Sequence, residues 1–135
     1  MEPMALYIHI PFCHTKCPYC DFNTYARKEH LIPDYVDSLT KEIRLWGELL
    51  DAPRIGTIFF GGGTPSYLEA HALGQIVHIA FSSFRVEDRA EVTIEANPGD
   101  ITGEKLSAWL RVGVNRISIG TQSLDDDLLG VMGRR

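Results

Sequence analysis

The chain has 135 residues, of which 44% are hydrophobic and 23% are charged, so it has the composition of one globular domain and not of a disordered segment. Its 13 basic and 18 acidic residues give a formal net charge of −5, which leaves no strong basic field for a nucleic acid, and none is expected as a partner. No apolar run approaches the ~20 residues of a membrane-spanning helix, and the first residues carry no export signal, so we expect a cytoplasmic protein.

Four strand segments are predicted, in chain order, at residues 5–10, 57–60, 92–96 and 115–119. Each is rich in β-branched or aromatic side chains, and most are bounded by Gly or Pro. Two of them read as nearly continuous apolar runs, which is typical of strands in a parallel sheet that is covered on both faces.

Helical patterns lie between the strands. The first has Pro33 in its first turn. Its apolar face is formed by Val36, Leu39, Ile43, Trp46 and Leu50. A second helix is predicted at residues 69–84 and a third at 102–112, and a fourth, short helix begins near Asp125. We expect the tryptophans of the first and third helices to lie in the core.

This alternation of strands and helices predicts an α/β fold with parallel strands joined by right-handed crossovers. The sheet could be open and doubly wound, or it could be part of a (β/α) barrel. About four βα units make half of an eight-unit barrel, so we expect residues 1–135 to be the N-terminal part of a longer protein.

Residues that could bind a metal or a ligand cluster where the predicted strands end. Three cysteines within residues 13–20 follow the first strand, and the glycine-rich segment 61–65 follows the second. Glu95 lies at the end of the third strand, and Gln122 follows the fourth. Because the carboxyl ends of parallel strands meet at one edge of a sheet, we expect these residues to form a single site.

The three cysteines, Cys13, Cys17 and Cys20, indicate a metal site. An odd number of closely spaced thiols does not make a disulfide framework, and thiols in a reducing compartment more often bind metal. Zinc is one possibility, with His14 or His9 as its fourth ligand. The other is a [4Fe–4S] cluster with one iron left open for a further ligand, which we favour.

The string Cys-x3-Cys-x2-Cys, placed after a first strand and with an aromatic residue before its last cysteine, resembles the radical S-adenosylmethionine (SAM) superfamily. The wider segment 7–23, which begins YIHIPFC and ends CPYCDFN, is similar to the group that contains oxygen-independent coproporphyrinogen III dehydrogenase and the HemW-type haem chaperones. This resemblance implies the N-terminal portion, about four βα units, of a partial six-unit (β/α) barrel. It also implies a [4Fe–4S] cluster on the three cysteines, with SAM chelating the fourth iron.

The same resemblance implies eight SAM contacts, at Tyr7, Tyr19, Gly62, Gly63, Thr64, Glu95, Gln122 and Arg134. The glycines would receive the amino end of SAM, because a backbone without side chains permits close approach. Glu95 would accept hydrogen bonds from the ribose hydroxyls, as a carboxylate does in dinucleotide-binding folds.

Two features favour a haem chaperone over a dehydrogenase within this group. Phe22 stands where the dehydrogenase pattern has a fourth cysteine, and only twelve residues precede Cys13. The expected partners are SAM, haem or a porphyrinogen, an electron donor, and haem-accepting respiratory proteins. A zinc-binding interaction module is the distant alternative, but it leaves the triple glycine and Glu95 unexplained.

Overall fold

A computed structural model describes residues 2–134, which form six β-strands and four α-helices. The strands are β1 Met4–Ile10, β2 Phe12–Cys13, β3 Tyr25–Ala26, β4 Arg54–Gly62, β5 Arg85–Ala96 and β6 Arg116–Ile119. The helices are α1 Ile32–Leu49, α2 Ala70–Ser83, α3 Gly103–Arg111 and α4 Asp126–Val131. Short 3-10 turns lie at Glu29–Leu31, Pro65–Tyr67 and Pro98–Asp100. None of the described helices is long and apolar enough to cross a membrane.

The main sheet is parallel throughout and has the order β1-β4-β5-β6. Helices connect its neighbouring strands, as the α/β prediction requires. Tyr7 of β1 lies beside Phe59 of β4, and Glu95 of β5 lies beside Ser118 of β6. The predicted fold class is therefore confirmed, and the carboxyl ends of all four strands meet at one edge.

The cysteine segment adds a second, very small parallel sheet. Phe12 and Cys13 of β2 pair with Tyr25 and Ala26 of β3. The Tyr25 N–H also donates to the Pro11 carbonyl at 2.7 Å. Two-residue strands are too short for a periodic pattern, so the sequence did not predict them. Their pairing closes the cysteine segment into a compact loop above the main sheet.

The hydrophobic core fills one side of the main sheet. Ile8, Phe60 and Ile94 are almost fully buried and belong to one cluster with apolar residues of α1 and α2. Side chains alternate along a strand, so Tyr7 points to the opposite side, where it is 57% exposed. The expectation of a sheet covered on both faces is therefore wrong for residues 2–134.

The two tryptophans differ in burial. Trp109 of α3 lies in the core as predicted and is 1% exposed. The core position predicted for Trp46 is wrong, because it is 47% exposed and its indole N–H points to the Glu42 carboxylate at 3.4 Å. Trp46 lies at the margin of the apolar face of α1, whose centre is formed by the buried Val36 and Ile43.

The predicted helix starts agree with the structure. Pro33 lies in the first turn of α1. The Thr102 hydroxyl caps α3 by accepting from the Lys105 N–H at 3.2 Å. The Asp125 carboxylate caps α4 by accepting from the Leu128 N–H at 3.0 Å, so the acidic run does start a helix.

Candidate functional site

An open cleft lies at the carboxyl edge of the main sheet. Nine of the predicted site residues line it, which are Cys13, Tyr19, Cys17, Cys20, Gly63, Thr64, Glu95, Gln122 and Arg134. They lie at or beyond the carboxyl ends of different strands, so the crossover topology brings them together from distant parts of the chain. Tyr7 and Gly62 are the two predicted residues that do not line this cleft.

The Cys13 sulfur contacts two side-chain hydroxyl groups. It lies 2.9 Å from the Thr24 hydroxyl and 3.1 Å from the Thr64 hydroxyl, and both threonines are buried. The Asn97 amide reaches the Thr64 hydroxyl at 3.4 Å. The first cysteine is therefore bound to the ends of β4 and β5 through side chains.

Cys17 and Cys20 lie on the outer part of the cysteine loop. The Cys20 N–H donates to the Cys17 carbonyl at 2.9 Å, which forms a tight turn between the two. The Arg134 guanidinium lies 4.0 Å from the Cys17 sulfur and also donates to the Gly120 carbonyl. Desolvation and the Cys17 side chain raise the pKa of the Tyr19 phenol. All three cysteines are half-buried and unpaired by disulfides.

The glycine triplet brings the end of β4 beneath the cysteine loop. The Gly63 N–H donates to the Ile10 carbonyl at 2.7 Å, and the Thr64 N–H donates to the Phe12 carbonyl at 2.8 Å. A Cβ on Gly63 would lie 2.6 Å from the Thr24 hydroxyl oxygen. Gly62 has a φ of 114°, and a Cβ there would lie 2.6 Å from the His9 ring. Both glycines are thus needed for close contacts within the chain.

Glu95 lies where β4 and β5 both end. Its carboxylate accepts the Gly62 N–H at 3.2 Å, so Gly62 orients Glu95 without lining the cleft itself. Burial, and secondarily the charge of Glu95, raises the pKa of the Tyr7 phenol. Tyr7 lies on the open face of the sheet, where its ring stacks on Phe59 with centroids 6.2 Å apart and its hydroxyl contacts His9 at 3.0 Å.

Both histidines that could have completed a zinc site are engaged elsewhere. His9 uses one ring nitrogen with Tyr7 and the other with the Asn23 carbonyl at 2.8 Å. The His14 ring packs edge-on against Tyr67 with centroids 4.2 Å apart, and its Nε2 lies 3.6 Å from the Asp100 carboxylate. Within residues 2–134, no three His, Cys, Asp or Glu side chains converge on one point as ligands of a single ion would.

Sequence reasoning missed the residues that support the cysteine loop from below. Thr24 contacts Cys13. The Ser66 hydroxyl donates at 2.9 Å to the Asp100 carboxylate, which lies 3.6 Å from the His14 ring. The Asn97 N–H in turn donates to Ser66 at 3.1 Å. These pairs join positions about 10 to 35 residues apart, so no local spacing pattern could have indicated them.

The residues of the cleft fit an iron–sulfur cluster with an organic ligand. Three thiols supply soft ligands, and a cluster takes one thiolate per iron, so its ligands need not converge on a single point. The carboxylate of Glu95, the amide of Gln122 and the guanidinium of Arg134 line the same cleft and offer hydrogen bonds to a polar molecule.

Comparison with known proteins defines the class. The Radical SAM superfamily pattern matches residues 7–135, so this chain belongs to the radical SAM superfamily. Membership implies an iron–sulfur cluster and SAM. A solved structure titled as coproporphyrinogen III oxidase (HemN) from Escherichia coli, a radical SAM enzyme, matches with a TM-score of 0.92 and 31% identity, covering 98% of this chain and 31% of that chain.

Curated relatives narrow the comparison. The chain is 41% identical over 136 residues to the protein named heme chaperone HemW of Escherichia coli, covering 99% of this chain and 36% of that protein. It is 37% identical over 139 residues to the heme chaperone HemW of Haemophilus influenzae, with the same two shares covered. It is also 39% identical to the mouse protein named radical S-adenosyl methionine domain-containing protein 1, mitochondrial, covering 96% of this chain and 29% of that protein. The chain thus spans about a third of the length of these relatives.

Proposed function

We propose that Cys13, Cys17 and Cys20 hold a [4Fe–4S] cluster whose fourth iron is open to SAM. The observation that carries this proposal is that the three thiols and Glu95 line one cleft although the cysteine segment and the end of β5 are far apart in sequence. Such a cluster, when bound with SAM, supplies one-electron reductive chemistry. The protein's own part is to hold and orient the two groups.

The residues of the cleft divide this work. Glu95 accepts hydrogen bonds from the ribose of SAM, and the Gly62 N–H keeps its carboxylate in position. Tyr19 and Gln122 line the cleft from different loops and bind the nucleoside part of SAM. Arg134 offers its guanidinium to the SAM carboxylate while its second contact, to the Gly120 carbonyl, fixes the side chain.

For the whole protein we propose a haem chaperone that binds haem and transfers it to haem proteins, in the cytoplasm. Relatives named as heme chaperones at 37% and 41% identity support this. Phe22 also supports it, because it lines the cleft and is 67% exposed at the position where the dehydrogenase pattern has a fourth cysteine. The alternative, supported by the structural similarity to a coproporphyrinogen III oxidase, is a porphyrinogen dehydrogenase that requires an electron donor.

The cluster is tested by anaerobic reconstitution of the full-length protein with iron and sulfide, followed by reduction and EPR with and without SAM. We expect a signal that changes when SAM is added. It should be lost in Cys17→Ala and retained in the control His78→Ala, whose side chain is exposed on α2. Bound zinc with no acid-labile sulfide and no EPR signal would overturn the proposal.

The same preparation separates the two candidate functions. We expect haem to bind, with a Soret band in stoichiometric titration, and coproporphyrinogen III to remain unchanged in the presence of SAM and reductant. Conversion of its propionates to vinyl groups would instead identify a dehydrogenase.

A further inference from the structure

Two buried hydroxyl groups converge on the sulfur of one cysteine. Thr24 is 3% exposed and lies 2.9 Å from the Cys13 sulfur, and Thr64 is 6% exposed and lies 3.1 Å from it. They approach from different segments, since Thr24 follows the cysteine loop and Thr64 follows the glycine triplet. Each distance is short for a hydrogen bond that involves sulfur.

The direction of these bonds follows from counting donors. A ligating cysteine is a thiolate, which can only accept hydrogen bonds. The Thr24 hydroxyl also lies 3.1 Å from the Pro11 carbonyl, but that carbonyl already receives the Tyr25 N–H at 2.7 Å. The Thr24 proton can therefore turn to sulfur without leaving a buried carbonyl unsatisfied.

Thr64 is arranged in the same way. Its oxygen accepts a hydrogen bond from the Asn97 amide at 3.4 Å, so its own single hydrogen is left to donate to the sulfur of Cys13. Both hydroxyls are consequently donors to Cys13 when that cysteine binds iron.

The other two cysteines have a different environment. The Cys17 sulfur faces the Arg134 guanidinium at 4.0 Å, and among residues 2–134 no side-chain hydrogen bond reaches the Cys20 sulfur. The iron bound by Cys13 would thus be the one whose sulfur ligand is stabilised by two buried donors.

We propose that Thr24 and Thr64 are positioning residues that donate hydrogen bonds to the Cys13 thiolate and raise the reduction potential of the cluster. This inference rests on the proposed cluster. Reduction makes a cluster and its sulfur ligands more negative, so donors to sulfur stabilise the reduced form more than the oxidised form. The fold thereby makes the one-electron reduction of the cluster easier.

The test is an EPR-monitored redox titration of the reconstituted full-length protein with dithionite and mediators. It is done without SAM, because Thr64 is also a proposed SAM contact. We expect Thr24→Val and Thr64→Val each to shift the reduction potential to more negative values, and the double variant to shift it further. Thr24→Ser keeps the hydroxyl and should keep the wild-type potential.

A matched control comes from another buried threonine. Thr40 is 3% exposed, and its hydroxyl donates to the Asp37 carbonyl within α1, away from the cysteines. Thr40→Val should leave the potential unchanged, and an equal shift in this control would overturn the inference by tracing the effect to general packing. An assembled cluster with the wild-type potential in both Thr24→Val and Thr64→Val would overturn the inference and leave the proposed function standing. A wild-type protein that assembles no cluster would overturn both.

Discussion

Gly63 shows how tightly a single position of the site is packed. A Cβ there would lie 2.6 Å from the Thr24 hydroxyl, 2.8 Å from the Phe12 carbonyl and 2.9 Å from the Ile10 carbonyl. Two of these neighbours are backbone, so they cannot move aside without disturbing the strands. Gly63→Ala should lower the free energy of unfolding by about 1–3 kcal/mol, the usual cost of overpacking.

Urea denaturation followed by circular dichroism measures this change. Gly99→Ala is the matched control, because a Cβ at Gly99 meets nothing within 4 Å. We expect the control to stay within about 0.5 kcal/mol of the wild type, as surface substitutions usually do. Equal stability of the two variants would show that the segment around Gly63 relaxes at little cost.

At the scale of single residues, the sequence predicted the residues that line the cleft better than the residues that support them. Cys13 and Glu95 were expected at strand ends, and strand order alone brings such residues together. Thr24 and Asp100 were not found, because a supporting residue is defined by one partner distant in sequence and has no spacing signal of its own. Tyr7 was expected to contact SAM; it lies on the open face of the sheet but does not line the cleft, so that contact stays a prediction.

At the scale of elements, the turn Pro65–Tyr67 couples the end of β4 to the start of α1. The Tyr67 hydroxyl donates to the Glu29 carboxylate at 2.8 Å. Desolvation by burial, and secondarily this hydrogen bond, raises the pKa of Tyr67 to about 12 from its ordinary value of 10.0. The same phenol, after the backbone N–H of Glu29 itself, holds the pKa of Glu29 below its ordinary value.

The pH dependence follows from the raised pKa of Tyr67. The unfolded chain releases the phenolic proton near pH 10 and the folded chain near pH 12, so the contribution of Tyr67 to stability is complete below pH 10 and is lost as the pH rises from 10 through 12. We therefore expect the difference in denaturation midpoint between wild type and Tyr67→Phe to shrink from pH 9 to pH 11.5. Tyr25→Phe is the control, because Tyr25 is 56% exposed. A constant difference across this range would contradict the assigned pKa.

The centres of the strands were predictable and their ends were not. β4 and β5 extend beyond the predicted 57–60 and 92–96, and β5 begins with the charged run at residues 85–91. That run pairs with β4 across a register shift between Ile55 and Thr57. A paired but exposed segment needs no apolar pattern, so its sequence reads as a loop.

At the scale of the whole molecule, the two faces of the sheet have different roles. The face towards α1 and α2 carries the apolar core. On the other face Arg116 reaches the Thr93 hydroxyl at 3.3 Å and the Glu91 carboxylate at 3.6 Å, a polar arrangement that suits the inside wall of a barrel. The sequence did not reveal this difference, because β1 and β4 are almost continuously apolar. Their aromatic residues Tyr7 and Phe59 look like core residues although they face the open side.

Over the described residues, the sheet is extensively hydrogen-bonded, whereas the cysteine loop makes few backbone hydrogen bonds. β4 is paired on both sides, with β1 and with β5, whereas residues 14–23 contain one backbone hydrogen bond outside regular elements, from Cys20 to Cys17. Amides of β4 should exchange with solvent slowest, and those of residues 14–23 should be among the fastest.

Assembly of the cluster would fix the loop through the three cysteines. It should slow exchange at residues 14–23 by about tenfold or more, because a ligand that binds only the closed loop suppresses local opening. Hydrogen–deuterium exchange with mass spectrometry, before and after anaerobic reconstitution, measures this. Exchange in β4 serves as the internal reference, and Cys17→Ala should remove the protection of the loop alone. Protection spread evenly over sheet and loop would instead mean that the cluster stabilises the fold as one cooperative unit.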